Sequence, residues 1–263
     1  MLRVEDLTIR FHDQTETEEA VHGISFSLAP GEILGLVGES GSGKTVTALA
    51  VAGLLGHRAA TVSGRIFLRD TDLLTLKPTE LRQIQGRRVG MVFQEPQTAL
   101  NPLLKVGRQV EETLRIHTRM TARERRATAI EALSAVEIAD PERVYTQYPH
   151  ELSGGMRQRA MLAAAMLTGP ELLICDEPTT ALDVTTQAQI LSLLQKLNRD
   201  RGMSLLFISH DLGVVRRLCH RAIVMQDGHI VEQGLVETLF SAPQTAYTKQ
   251  LLASLPGRRR RRD

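Results

Sequence analysis

Ile33-Leu34-Gly35-Leu36-Val37-Gly38-Glu39-Ser40-Gly41-Ser42-Gly43-Lys44-Thr45 decides the fold of this 263-residue chain. The run from Glu32 to Val37 is nearly continuous in apolar residues, as expected of a strand buried on both faces. The loop after it, with Ser40 and Ser42 between Gly38, Gly41 and Gly43, is small enough for backbone N–H groups to approach phosphate oxygens. Thr45 to Leu55 reads as a small, apolar helix ending at Gly56, and its positive end would face those phosphates. In such a loop Lys44 reaches the β and γ phosphates, and the Thr45 hydroxyl ligates Mg²⁺.

Further along, Leu172-Leu173-Ile174-Cys175-Asp176-Glu177 is an apolar strand ending in two carboxylates. Asp176 suits a metal ligand. Glu177 suits the general base for water attacking a γ-phosphate, because water is a poor nucleophile until a carboxylate orients and deprotonates it. Gln94, after the short apolar run that ends in Val92-Phe93, can touch both Mg²⁺ and the attacking water. His210 follows Phe207-Ile208-Ser209 at the carboxyl edge of the expected sheet, where ligands bind in open α/β folds, and can steady transition-state charge. Phe11 closes the first strand and could stack on a base, with Val21 as a weaker apolar contact.

Strands alternating with helices after Leu172 indicate a parallel α/β sheet: strand Leu172–Cys175, helix Gln187–Arg199, strand Leu205–Ser209, helix Leu212–Leu218 and strand Ala222–Met225. Before that, Leu2 to Phe11 and Gly23 to Leu28 alternate as half-buried strands around an acidic loop, Asp13 to Glu19. Arg65 to Leu68 is another strand. From about Pro96 to Leu167 helix formers dominate, notably Gly107 to Leu114 and Ala122 to Val136. Thr121 and Glu124 form an expected capping box at the second of these. Val231 to Phe240 adds a short terminal element, and Gln250 to Arg262 reads as a tail.

Net charge is +2 with 24% charged residues, and aromatics make up 3%, so neither nucleic-acid nor single-strand stacking surfaces are indicated. Two isolated cysteines, Cys175 and Cys219, point to a reducing compartment without a disulfide framework. No export signal is visible after Met1, and the apolar stretch Ala160 to Leu167 is far short of the roughly 20 residues that span a bilayer. The chain is expected to be soluble by itself, with any membrane role coming through a partner.

Leu152-Ser153-Gly154-Gly155-Met156-Arg157-Gln158, between the two nucleotide motifs, has no local use in a simple phosphate-binding ATPase. With Gln94, Asp183 and His210 in their order, the set resembles the nucleotide-binding domain of ABC transporters from Leu2 to about Leu255. Phe93-Gln94-Glu95-Pro96-Gln97, Tyr148-Pro149-His150-Glu151, Asp176-Glu177-Pro178-Thr179-Thr180-Ala181-Leu182-Asp183, Val231-Glu232-Gln233-Gly234 and Tyr247-Thr248 look like its peptide/nickel importer branch.

The resemblance implies an α/β fold: a P-loop ATPase core of RecA-like, mainly parallel sheet (1–95 and 168–240), with an N-terminal antiparallel β subdomain and an inserted α-helical subdomain (96–167). Residues 1–255 would form one domain and 256–263 a basic tail. Two such domains would sandwich two ATP molecules with Mg²⁺, with Ser153, Gly154 and Gly155 closing on the partner's nucleotide and Asp183 at the seam. It further implies two integral-membrane permeases, a second homologous ATPase chain, an extracytoplasmic solute-binding protein, and a place on the cytoplasmic face of the inner membrane. The imported solute would be nickel, a metal chelate or short peptides. The oligopeptide and dipeptide members usually continue with a cysteine-bearing extension, whereas this chain stops in an arginine run, which leans the expectation toward metal. The rival reading is an ABC-type ATPase acting on nucleic acid or ribosomes, but such proteins carry a coiled-coil insertion or two ATPase domains.

Overall fold

The computed structural model describes residues 1–12, 17–56, 60–94, 99–180 and 182–254. Part of the expected acidic loop (13–16), the segment 95–98 and the arginine run 258–262 lie outside them. The strands are β1 (Leu2–His12), β2 (Thr17–Leu28), β3 (Ile33–Val37), β4 (Ala60–Leu68), β5 (Thr71–Asp72), β6 (Val89–Val92), β7 (Leu172–Asp176), β8 (Ser204–Ser209), β9 (Arg221–Gln226) and β10 (His229–Leu235). The chain divides into two compact units, residues 1–76 with 204 onward, and residues 77–203.

In the first unit β1 pairs antiparallel with β2 and with β4, and β5 extends β4. Alternation along β1 buries Leu2, Val4, Leu7 and Ile9, with a bulge before Leu7 where Asp6 adopts a left-handed φ of 49°. β2 begins earlier than its sequence suggests, because Glu19 is held across the pair by Arg10 at 2.6 Å instead of lying in a loop.

β3 lies parallel to both β8 and β9, and β10 turns back antiparallel on β9. Every residue of β3 and β8 is buried, which is why β3 and the Leu205 to Ile208 stretch of β8 read as apolar runs. The helix Leu212–Leu218 packs closely on β3: a Cβ on Gly35 would stand 2.9 Å from Val215 Cγ1.

The helix after β3 spans Lys44–Val51, shorter than the expected run to Leu55. Gly53, in the left-handed region at φ 67°, ends it before Gly56 is reached. The expected terminal element is strand β10 followed by the helix Val236–Ser241. Gln250 to Ala253 lie in the helix Ala246–Ala253 and not in a tail, because Leu252 is buried.

The second unit carries the parallel pair β6 and β7, with Val92 opposite Cys175. Its helices include Val106–Val110, Glu112–His117, Ala122–Ala135, Gly154–Met166 and Val184–Arg201. The expected Gly107–Leu114 helix is thus two short ones that break at Glu111. Thr121 caps the longer helix as expected: its hydroxyl accepts the Glu124 N–H at 3.3 Å while the Glu124 carboxylate accepts the Thr121 N–H at 2.6 Å. No helix among the described residues is long and apolar enough to cross a membrane.

Candidate functional site

The phosphate loop leaves the carboxyl end of β3. Its neighbour β8 ends in register with it, Val37 opposite Ser209, so Gly38 and His210 emerge side by side from adjacent parallel strands. His210 is exposed there, and the Ser209 hydroxyl beneath it accepts the Asp211 N–H at 3.0 Å.

Two glycines in the loop are required for different reasons. Gly41 adopts φ 82° with open space around its Cα, so conformation alone demands glycine. Gly43, at φ 94°, also lacks room: a Cβ would meet the Ala20 carbonyl oxygen at 2.9 Å and Val21 Cγ2 at 3.2 Å. Val21 is therefore a buried support of the loop. Ser40 and Gly41 are exposed, whereas Ser42 and Lys44 are buried. The Lys44 ammonium donates to the Glu39 carbonyl at 2.6 Å and to Ser42 Oγ at 3.2 Å. Thr45, the second residue of the following helix, is exposed. Phe11 is half-buried at the end of β1, opposite Glu18 and Ala60, so it is not a core aromatic.

In the second unit, parallel pairing of β6 with β7 sends Gln94 and Glu177 off the same edge. Gln94 Nε2 donates to Glu177 Oε2 at 3.2 Å, and the Thr180 hydroxyl donates to the same oxygen at 2.9 Å. Glu177 itself adopts φ 45°, which a non-glycine residue disfavours. Asp176 is buried at the end of β7. The Cys175 thiol is pushed far up by burial and by the adjacent Asp176, so it stays protonated. Thr180 had no separate signal in the sequence beyond its place in the segment after Glu177.

Ser153 is the N-cap of the helix Gly154–Met166, its hydroxyl accepting the Met156 N–H at 3.3 Å. Ser153 and Gly154 are exposed and Gly155 is partly so. Asp183 caps the helix Val184–Arg201, accepting the Thr186 N–H at 2.9 Å and the Thr186 hydroxyl at 2.6 Å. Those bonds, the hydroxyl's first, hold the Asp183 carboxyl below the ordinary carboxylate range. Thr186 also faces Gly155, where a Cβ would stand 2.7 Å from its Cγ2. Thr186, a residue the sequence did not single out, is thus bonded to the Asp183 cap and packed against Gly155.

The donor set fits a magnesium ion in kind. Thr45, Gln94 and Asp176 offer only oxygen ligands suited to Mg²⁺, which keeps several waters and relies on one or two carboxylates plus substrate phosphates. Such an ion needs no protein cage, and among the described residues no cluster of three or more His, Cys, Asp or Glu is set to hold a metal.

A family model described as ABC transporter matches residues 21–180. Over all 263 residues the chain is 49% identical to the probable peptide ABC transporter ATP-binding protein y4tR of Sinorhizobium fredii and covers 78% of it. It is 52% identical over 257 residues to the peptidoglycan transport ATP-binding protein YejF of Agrobacterium fabrum, covering 97% of this chain and 47% of that protein. Identity to the dipeptide transport ATP-binding protein DppD of Haemophilus influenzae is 47% over 256 residues, 97% of this chain and 78% of that one. Among solved structures, an ATP-binding cassette in a dimeric post-hydrolysis state with ADP and Pi matches with a TM-score of 0.80 at 31% identity, over 90% of this chain and 99% of that one. The fold is therefore the P-loop ATPase core with antiparallel β and helical subdomains that the sequence led us to expect. The three relatives are named for peptide, peptidoglycan and dipeptide transport, so the lean toward nickel or metal chelates finds no support among them.

Proposed function

The chain belongs to the ABC transporter family, and from that premise we propose that it is the ATP-hydrolysing subunit of an importer for short peptides. What carries the peptide reading is the 49% identity to a peptide transporter subunit over the whole of this chain. A second reading, peptides derived from peptidoglycan, is favoured by the 52% identity to a peptidoglycan transport protein.

ATP is bound and hydrolysed by residues with separate tasks. Amides of Ser40 through Thr45 and the Lys44 ammonium take the phosphates. Phe11 lies against the base. Thr45, Gln94 and Asp176 would hold Mg²⁺, which neutralises phosphate charge during transfer. Glu177 accepts the proton of the attacking water, oriented by the donors already on its Oε2, Gln94 and Thr180. His210 steadies charge on the γ-phosphate.

Ser153, Gly154 and Gly155 present an exposed, capped helix start, as a surface that closes on the nucleotide of a second ATPase chain requires. Asp183, joined to Gly155 through Thr186, transmits closure to the hydrolysing residues. That second chain is a homologue, and two permeases hold the pair at the cytoplasmic face of the inner membrane, fed by an extracytoplasmic peptide-binding protein. The side chains of Leu103 and Ile116, 82% and 66% exposed on the helical segment, suit contact with permease loops.

The test is a pull-down from native membranes with tagged Glu177→Gln in ATP. Recovery of two permeases, a second ATPase and a peptide-binding protein supports the importer. Recovery of nucleic acid or ribosomal partners alone removes transport and leaves the ATPase.

A further inference from the structure

The chain beyond β9 returns to the phosphate loop. Glu232 on β10 accepts the backbone N–H groups of Gln244 at 2.9 Å and Thr245 at 3.1 Å, and the Thr245 hydroxyl at 3.1 Å. These bonds fix the start of the helix Ala246–Ala253, whose Thr248 and Leu252 are buried. Tyr247, near the start of that helix, is thereby aimed at the loop, and its phenol oxygen accepts the Glu39 N–H at 3.1 Å. On its other side Glu39 offers its carbonyl to Lys44 Nζ at 2.6 Å and to the Ser42 N–H at 3.3 Å.

Glu39 stands between Gly38 and the Ser40–Gly41 pair, where the glycines impose little restraint on the backbone. A loop that binds phosphate through its amides loses affinity if it must be ordered on binding. The Glu39 N–H has one fixed partner outside the loop, and it lies on a helix seated on the sheet.

We infer that Tyr247 is a positioning residue of the nucleotide site: its hydroxyl holds Glu39 so that the loop keeps its binding shape before ATP arrives. The inference rests on the reading of this loop as the ATP site. Tyr247→Phe removes the acceptor and keeps the ring. In the full-length chain we expect it to raise KM for ATP, and Kd for a fluorescent ATP analogue, about three- to tenfold, the range set by one hydrogen bond. Turnover at saturating ATP should stay within about twofold. A merely structural role would lower kcat through loss of active protein and leave KM alone.

Wild-type KM and Kd in Tyr247→Phe, or a fall in kcat with KM unchanged, would overturn the inference. A second arm uses Glu39→Pro, which has no N–H to donate. In that background Tyr247→Phe should weaken binding no further, and an equal further loss would also overturn it. Lys44→Ala, measured alongside, separates the two claims. If it binds nucleotide like the wild type, the ATP-site reading itself fails. If it abolishes binding while Tyr247→Phe is silent, only the role of Tyr247 is lost.

Discussion

Gln94 donates its side-chain amide to Glu177 Oε2 across 3.2 Å, an oxygen that also receives the Thr180 hydroxyl. The carboxylate is thereby oriented by two neutral donors, an arrangement that suits a base awaiting a water. Glu177→Gln keeps an acceptor for both donors and removes the basic oxygen. ATP hydrolysis should fall by about 10²- to 10⁴-fold, the usual contribution of a general base. Nucleotide affinity should be retained. Turnover within tenfold of wild type would remove Glu177 from that role.

Gly155 cannot accept a methyl group easily. The Thr186 Cγ2 that a Cβ would meet at 2.7 Å belongs to a side chain whose hydroxyl is tied to Asp183 at 2.6 Å. Gly155→Ala must therefore displace Thr186 from Asp183 or strain the helix start. A cost of about 1–3 kcal/mol is expected from overpacking, read by denaturant unfolding. Adding Thr186→Ser removes the obstructing methyl and keeps the hydroxyl, and should recover most of the loss. No recovery would show that the methyl is not the obstacle.

Glu232 should make the hold on the last helix sensitive to acid. Burial raises its carboxyl, but hydrogen bonds from Gln244, Thr248 and Thr245 outweigh that and leave it below the ordinary value of 4.5. As pH falls the unfolded chain takes up this proton first. The contribution to stability is therefore intact above pH 4.5 and is lost as pH drops through the lower folded value. The stability gap between wild type and Glu232→Gln should narrow steadily below that pH. A gap constant from neutral pH to acid would show that the carboxylate's charge is not what matters.

Cys175 is fully buried in β7 and its thiol is held protonated, so it should be inert in the native chain. Iodoacetamide followed by peptide mass mapping should leave it unmodified without denaturant and modify it once the chain is unfolded. Modification at an appreciable rate under native conditions would mean that β7 opens far more readily than its burial implies.

Much of the fold was legible because the core strands announce themselves. β3 and β8 are buried along their whole length, and both are legible from apolar cores, Ile33 to Val37 and Leu205 to Ile208. Errors arose where local composition and tertiary partner disagreed. Glu18 and Glu19 look like loop residues until Arg10 is seen across the pair, and Gly56 looks like a helix end although Gly53 already takes the left-handed turn. The roles of Thr180, Thr186 and Tyr247 were out of reach for another reason. A hydroxyl names neither its partner nor its direction, and the bond from Tyr247 to Glu39 spans 208 residues of chain. Motif spacing nominates residues for chemistry, whereas only packing reveals which side chains hold them still.

The backbone at Glu177 has a consequence for any effort to harden this molecule against heat. Its φ of 45° is a region that asparagine and glycine occupy more comfortably than glutamate. A library screened solely for survival at raised temperature should therefore drift toward asparagine at this position, enriching chains that fold well and lack the proposed base. Thermal selection of this ATPase has to be coupled to phosphate release, or it will reward idleness.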